Sequence, residues 1–288
     1  MLTESHFHAP WWARNPHLQT ILPKWLRRTP ARFVAERFEL QDGDFVDLAW
    51  SGEVSLDERP LIVVFHGLEG SIHSHYAKGL FAHLQQEGRE AVLMHFRGCS
   101  GEPNRHLQAY HSGAIGDAQE LIAELSQRFP GKPLIAIGFS LGGNMLVNLL
   151  ARGCPAALKA AVVVSAPLQL ASCAERVNQG FSKVYQNYLL RTMRRNLLNK
   201  ISQQQKASER WQPRQVEQIA TLRDFDELVT APLHGFHSAN HYYQSCSGLP
   251  LLAQIPIPTL ILHAADDPFM SHAVIPRPEQ LSPTVRYE

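Results

Sequence analysis

The chain of 288 residues could hold one large domain or two ordinary ones, and its 44% hydrophobic and 18% charged residues are typical of a globular protein. A formal net charge of +1 argues against a nucleic-acid-binding protein, which usually carries a strong basic excess on one face. Basic residues cluster only at Arg27 and Arg28 and at 191–195. These runs are too short to imply a membrane-surface patch, so we expect solvated helix faces.

The N-terminus lacks the continuous apolar segment of a signal peptide, and no apolar run approaches the roughly 20 residues that span a bilayer. The chain has four widely spaced cysteines, Cys99, Cys154, Cys173 and Cys246. Because none belongs to a C-x-x-C pair, the spacing favours reduced thiols over a disulfide framework or a zinc knuckle. We therefore expect a cytoplasmic protein without a transmembrane segment.

Two histidine pairs, His6 with His8 and His73 with His75, raise the question of a metal site. On an extended segment, residues two apart share a face. No cluster of carboxylates or cysteines completes either pair as a ligand set. We expect surface or loop histidines, and neither a metal ion nor another cofactor.

The first 35 residues form an irregular arm that contains Trp11, Trp12 and Trp25. Adjacent tryptophans are costly to leave in water, so we expect the arm to pack on the body of the protein. After the arm, residues 36–40 and 45–50 alternate apolar and polar side chains around an Asp-Gly pair. This pattern predicts a β-hairpin.

Beyond Pro60 the chain alternates between buried strands and helices. The predicted strands are 61–65, 91–96, 134–137 and 160–164, and the predicted helices are 74–87, 113–129 and 141–151. Continuous apolar runs of strand length are typical of strands buried on both faces. The alternation predicts an α/β fold with a mostly parallel, doubly wound sheet.

The strand pattern is absent from 168–256, which contains helical stretches rich in aromatic residues, and it returns at 259–263. Ligands bind beyond the carboxyl ends of parallel strands, so a helical insertion before the last strands is placed to act as a lid. We therefore expect an arm at 1–35, a core at 36–167 and 257–288, and a helical lid at 168–256.

Residues 138–142 read Gly-Phe-Ser-Leu-Gly, a G-x-S-x-G sequence that follows a buried strand and opens an apolar helix. That context is typical of a nucleophile elbow, in which a strained turn exposes a serine above the sheet. The glycines avoid clashes with the flanking strand and helix. We interpret Ser140 as a nucleophile; a serine that only caps the helix is the alternative.

Residues 66–70 read His-Gly-Leu-Glu-Gly and directly follow the first buried strand. An acyl-transfer site needs two preorganised N–H donors for the oxyanion, one after the nucleophile and one from this earlier loop. We assign them to the backbones of Leu141 and Leu68. His66 precedes the serine, whereas this type of site orders its residues Ser, acid, His, so we expect His66 to brace the loop.

The acid of the triad is expected at the end of the restored strand, where Asp266 and Asp267 compete. A carboxylate at a strand terminus can orient an imidazole and stabilise its charged form. We favour Asp267, because the extended backbone before Pro268 would fix its direction. Asp266 remains open as the alternative.

Five segments together resemble the YheT-like branch of the α/β-hydrolases: 15–20, 65–70, 95–105, 138–144 and 265–269. Proteins of that branch are regarded as carboxylesterases and are related to eukaryotic lipid-ester hydrolases. The run 95–105 (His-Phe-Arg-Gly-Cys-Ser-Gly-Glu-Pro-Asn-Arg) is far more specific than G-x-S-x-G. The resemblance implies Ser140 as nucleophile and Asp267 as acid.

In that branch the base is a histidine in a His-Gly-Gly-His-like loop after one more strand. Residues 284–288 resemble the beginning of that strand, and the sequence then ends. His263 and His272 are too close to Asp267 in sequence to reach Ser140 comfortably. We expect the catalytic histidine to be missing, the chain to be weakly active, and the last strand to expose an unpaired edge.

These residues predict a serine carboxylesterase that hydrolyses short-chain acyl esters or acylglycerol-type lipids through an acyl-enzyme. Its partner would be a small-molecule or lipid ester, with no nucleic acid. Two alternatives remain open: acyl transfer to an alcohol at the same site, or a non-catalytic relative that binds lipids or a partner.

Overall fold

The computed structural model describes residues 1–288 apart from positions 4, 6, 8, 27, 28 and 31 and the side chain at position 25. The expectations for Arg27 and Arg28, for His6 with His8, and for the Trp25 side chain therefore lie outside the described residues.

An eight-stranded sheet forms the centre of the molecule. Its strands are β1 (Val34–Glu39), β2 (Phe45–Trp50), β3 (Leu61–Phe65), β4 (Ala91–Met94), β5 (Leu134–Phe139), β6 (Leu158–Val164), β7 (Thr259–Leu262) and β8 (Val285–Tyr287). Their spatial order is β1-β2-β4-β3-β5-β6-β7-β8, and only the β1–β2 and β2–β4 pairs are antiparallel. The predicted doubly wound α/β fold is confirmed.

The helices of the described residues lie before the first strand and between the later strands. They are α1 (Pro16–Leu26), α2 (His75–Gln86), α3 (Gly116–Arg128), α4 (Leu141–Gly153), α5 (Leu170–Val177), α6 (Ser182–Gln203), α7 (Gln205–Arg210), α8 (Pro213–Glu217), α9 (Leu222–Phe225), α10 (Ala231–Leu233) and α11 (Ala239–Cys246). None of those described is both long and apolar enough to cross a membrane.

Side chains of β3 point alternately into two hydrophobic layers. Ile62 and Val64 pack with the buried face of α2, whereas Leu61, Val63 and Phe65 pack in the larger cluster with α3 and α4. Because both faces of β3 are covered by apolar side chains, none of its positions faces water. Its sequence is therefore a continuous apolar run and does not alternate with polar residues.

Strand β4 ends at Met94, two residues before the predicted end. The backbone N–H of Phe96 donates to Nε2 of His66 at 3.0 Å. The His66 side chain thus accepts the hydrogen bond that the Phe96 N–H would have made to a neighbouring strand if β4 were longer. The periodicity of the sequence does not indicate that a side chain replaces a strand as the acceptor.

The chain between β6 and β7 is helical, with α5–α11 followed by a 3-10 helix at Leu249–Gln254 and no strand in this fully described segment. The helices have a core of their own, which includes Leu190, Leu197, Trp211 and Val216.

Trp11 and Trp12 do not pack on the body of the protein, contrary to the expectation for the arm. Trp11 is 81% exposed and Trp12 is 55% exposed. The arm contacts the rest of the protein through its helix α1, where the centroid of the His17 ring lies 4.6 Å from that of Phe181. The neighbouring alanine, Ala13, is the buried residue of this turn, so the tryptophans face outward.

The outer edge of β8 is paired, contrary to expectation. The N–H of Tyr287 donates to the carbonyl of Met1 at 2.8 Å, and the N–H of Thr3 donates to the carbonyl of Tyr287 at 2.9 Å. Met1 and Thr3 thus form hydrogen bonds with the backbone N–H and carbonyl groups on the outer edge of β8, for which the sequence suggests no partner.

Candidate active site

Ser140 lies in a sharp turn between β5 and α4, with φ 50° and ψ −118°. Its N–H donates to the carbonyl of Val164 at 2.8 Å, and its carbonyl accepts from the N–H of Asn144 at 3.1 Å. Such a backbone conformation costs on the order of 1–3 kcal/mol for a residue other than glycine and persists only where the surroundings impose it. The geometry is that of the predicted elbow.

Two glycines permit this turn, because α4 begins almost in contact with the ends of β3 and β5. A Cβ at Gly142 would lie 2.4 Å from the carbonyl oxygen of His66, and one at Gly138 would lie 2.6 Å from the carbonyl oxygen of Gly142. Both obstacles are backbone atoms, which cannot rotate away as a flexible side chain can. The sequence therefore requires glycine at both positions.

The loop after β3 passes directly beside the serine. A Cβ placed on Gly67 would lie 3.1 Å from Cβ of Ser140. The loop is fixed by hydrogen bonds from its own backbone: the N–H of Gly67 donates to Tyr76 Oη at 2.8 Å, and that of Gly70 donates to the carbonyl of Gly67 at 2.9 Å.

The backbone N–H groups of Leu68 and Leu141, near the serine, have no acceptor among the described residues. Leu141 is the first residue of α4, where N–H groups have no partner within the helix. In the loop, by contrast, the N–H groups of Gly67, Glu69 and Gly70 are all bonded. The pair predicted to form the oxyanion hole thus consists of two N–H groups with no protein acceptor.

Glu69, a residue that the sequence analysis did not single out, ties this loop to α6. Its φ is 53°, its N–H donates to Tyr110 Oη at 2.8 Å, and its Oε1 accepts from the same hydroxyl at 3.0 Å. Its Oε2 accepts from Nδ2 of Asn196 at 2.6 Å. Burial raises the pKa of this carboxyl. The sequence indicated a role for Glu69 only through its position next to Leu68, a predicted oxyanion donor. Its partners Tyr110 and Asn196 lie far away in the sequence, and no local pattern connects them with Glu69.

His66 uses both ring nitrogens to brace the loops, as expected. Its Nε2 accepts from the N–H of Phe96, so the proton is on Nδ1, which donates to the carbonyl of Gly67 at 2.7 Å. Burial lowers the pKa of this imidazole to about 3. A neutral ring with both nitrogens engaged is a structural brace and has no free lone pair for a proton from Ser140.

His95, which the sequence analysis also left unassigned, repeats this arrangement one strand away. Its Nε2 accepts from the N–H of Ile72 at 3.1 Å, and its Nδ1 donates to the carbonyl of Asp47 at 2.9 Å. Burial lowers the pKa of the ring. Two histidines therefore join the loops that follow β3 and β4.

Asp267 follows β7, and its carboxylate is oriented by the backbone. Oδ1 accepts from the N–H of Phe269 at 2.8 Å, and burial raises the pKa of the group. Asp266 is exposed. Strands β5 and β7 are two strand spacings apart, so their carboxyl ends lie about 10 Å from each other, a gap that an imidazole can bridge.

His263 and His272 lie on either side of Asp267 in sequence. The His263 ring stacks on Tyr287 with centroids 6.2 Å apart, and burial lowers its pKa to about 4. His272 is exposed in a short 3-10 helix. Neither forms a hydrogen bond with Asp267 or Ser140 in the part of the chain that the structure describes.

Helix α6 joins the two loops on either side of the serine. At its first turn, Ser182 Oγ donates to the carbonyl of Pro268 at 2.7 Å. Fourteen residues later, about 21 Å along the helix, Asn196 reaches Glu69. Because β5 and β6 lie between β7 and β3 in the sheet, α6 crosses the edge that carries Ser140.

The described residues contain no group of three or more His, Cys, Asp or Glu residues arranged to hold a metal ion. Their four cysteines are free thiols.

A model of the alpha/beta hydrolase fold matches residues 60–288. The chain is 48% identical over 281 residues to the protein of Escherichia coli named "Putative esterase YheT", covering 95% of this chain and 81% of that one. It is 27% identical over 283 residues to the phospholipase ABHD3 of Mus musculus, covering 95% and 68%. The Pyrococcus furiosus esterase Pf2001 shares the fold, with a TM-score of 0.56 at 15% identity over 89% of this chain and 81% of that one.

Replacing Gly142 with alanine tests the close packing of the elbow. Since the new Cβ meets backbone, we expect Gly142→Ala to lower the free energy of unfolding by about 3 kcal/mol or more in urea titrations. Gly116→Ala is the matched control, because the space around Gly116 is open at the start of α3. A Gly142→Ala protein as stable as the control would show that α4 does not approach β3 this closely.

Acid titration tests the neutral brace at His66. Burial lowers the pKa of His66 from its ordinary value of 6.5 to about 3, so the stability that the neutral ring provides is complete above pH 6.5 and is lost as pH falls toward 3. A glutamine side chain can still accept from the N–H of Phe96, so we expect His66→Gln to fold. Between pH 6.5 and pH 3, its free energy of unfolding should fall by about 3 kcal/mol less than that of the wild type, or by an even smaller amount. Exposed His83→Gln is the control. An unchanged slope in His66→Gln would contradict the assignment.

Proposed function

Because the chain belongs to the α/β-hydrolase fold family, we propose that it is a serine carboxylesterase acting on short-chain acyl esters or acylglycerol-type lipids. The observation that carries the proposal is the position of Ser140, in a strained turn beside two N–H groups that have no protein acceptor. A serine that merely caps a helix needs neither the strain nor the donors.

The proposed reaction begins with attack of Ser140 Oγ on the ester carbonyl carbon, while its proton passes to an imidazole base. Negative charge on the carbonyl oxygen is stabilised by the N–H groups of Leu68 and Leu141. The alcohol leaves with a proton, and water then hydrolyses the acyl-enzyme. Asp267 orients this imidazole. We do not assign the base to His66 or His95, because both ring nitrogens of each already form hydrogen bonds with backbone groups.

We propose that the helical segment 168–256 serves as a lid and that it gives the site its preference for acyl chains. Leu68 packs with the lid cluster around Leu190 and Leu197 as well as with the main core. An apolar wall beside the oxyanion donors favours an ester whose acyl group is hydrocarbon. The name of the mouse relative, a phospholipase, is consistent with a lipid ester.

Glu69 is proposed as a positioning residue of this reaction. Its bonds to Tyr110 and Asn196 hold the left-handed conformation that follows Leu68 and so aim the Leu68 donor. A misplacement of about 1 Å at such a donor can cost on the order of 10²-fold in rate.

Replacing the nucleophile is the direct test of the activity. We expect Ser140→Ala to reduce hydrolysis of p-nitrophenyl butyrate to the solvent background and to abolish labelling by a fluorophosphonate. In a complete triad, this loss is on the order of 10⁶ in turnover. Thermal melting serves as the control for folding. A folded Ser140→Ala protein that is still labelled would place the nucleophile at another residue, and a wild-type protein that is never labelled would favour a non-catalytic binding role.

The two aspartates form a matched pair for the acid. Asp267→Asn should lower kcat by about 10⁴-fold in a complete triad, because an amide cannot stabilise the charged imidazole. Asp266→Asn, with its exposed side chain, should leave kcat within a fewfold of wild type. The reverse ranking would make Asp266 the acid.

A further inference from the structure

The outer face of α6 is apolar at one end and basic at the other. Phe181, Val184 and Tyr188 are each at least 50% exposed. Arg191 and Arg195 continue the same stripe, at spacings of three and four residues that keep side chains on one side of a helix. The inner face of the same helix packs in the lid core and contacts the loops of the candidate site.

Helix α1 lies alongside this stripe and widens it. His17 contacts the ring of Phe181, and Lys24 Nζ lies 3.6 Å from the ring centroid of Tyr188. The short turn just before α1 presents the exposed Trp11 and Trp12. We call the surface made by these side chains the α1–α6 face; its exposed apolar members are Trp11, Trp12, Phe181, Val184 and Tyr188.

The charged residues of α1 and α6 are all basic. Neither helix contains an Asp or Glu residue, whereas α6 alone carries five basic residues, Lys183, Arg191, Arg194, Arg195 and Lys200. Three of these arginines line a shallow cleft of about 360 Å³, whose acidic member, Glu217, belongs to α8. Exposed tryptophan and tyrosine rings on a surface that also presents exposed arginines favour contact with a phase that is apolar within and anionic at its boundary.

We propose that the α1–α6 face docks the protein onto the surface of an anionic lipid bilayer. Tryptophan and tyrosine rings enter the interface between headgroups and acyl chains, while Arg191 and Arg195 lie at the level of the phosphates. A lipid surface as the partner explains why Trp11 and Trp12 point outward. It also differs from the expectation for residues 191–195, which was a face in contact with water alone. The proposal does not depend on the proposed esterase activity.

Docking of this kind places α6 between the lipid surface and the loops of Glu69 and Asp267. The helix that crosses the serine is thus the element that would contact both the bilayer and the site. A single helix with both roles is placed to admit an ester from the lipid phase.

Flotation with vesicles tests the proposal on the whole chain. We expect binding to vesicles of phosphatidylcholine with 30% phosphatidylglycerol, weaker binding to pure phosphatidylcholine, and weakening of the former by 0.5 M salt. Arg191→Gln/Arg195→Gln should lower the partition coefficient on anionic vesicles by about tenfold or more, from roughly 1 kcal/mol per basic residue. Trp11→Ser/Trp12→Ser should lower it on both vesicle types.

The control carries equivalent changes away from this face. Leu56→Ser/Arg89→Gln removes one exposed apolar and one exposed basic side chain from the loops that precede β3 and β4, at the opposite end of those strands from the site. It should bind as wild type does, and all variants should melt alike because the altered side chains are exposed.

Two results would overturn the proposal. One is binding to anionic vesicles that neither double variant on the α1–α6 face reduces more than the control does. The other is a dimer, seen by light scattering, that the tryptophan variant dissociates while vesicle binding is absent; that result would assign the face to a second copy of the chain.

Discussion

The approach of α4 to the ends of β3 and β5 is the constraint on which the candidate site depends. With no side chain at Gly138 or Gly142, the helix can begin directly against the carbonyl of His66, and the turn at Ser140 has no room to relax. The same approach brings Gly67 against the serine and leaves the N–H of Leu141 without an acceptor at the helix start. The strained turn at Ser140 and the N–H of Leu141 without an acceptor are thus consequences of one packing contact.

A second layer of contacts holds the loops that carry these groups. His66 and His95 fasten the segments after β3 and β4 through both nitrogens of each ring. Glu69 then connects the first of these loops to α6, whose other end is bonded beside Asp267. Helix α6 is therefore bonded on both sides of Ser140, so a movement of α6 would affect the loops that carry Glu69 and Asp267 together.

The sheet, the elbow and the position of Asp267 could be read from the sequence because each depends on a local pattern. Apolar runs of strand length mark strands buried on both faces, and glycines around a serine mark a turn too crowded for side chains. The bonds of Glu69 and the pairing of Tyr287 with Met1 join residues that are distant in the chain, and no local pattern encodes them. Burial of Trp11 and Trp12 was expected from hydrophobicity alone, yet which side of a short turn faces the body is decided by packing.

The central claim is that Ser140 is the nucleophile and that the Leu68 and Leu141 N–H groups receive the oxyanion. A crystal structure of the protein after reaction with a fluorophosphonate tests it most directly, because the phosphonyl oxygen stands in for the oxyanion of the tetrahedral intermediate. The account predicts a covalent bond to Ser140 Oγ, with that oxygen about 3 Å from both nitrogens. An adduct on another residue, or a phosphonyl oxygen turned away from the two N–H groups, would contradict it.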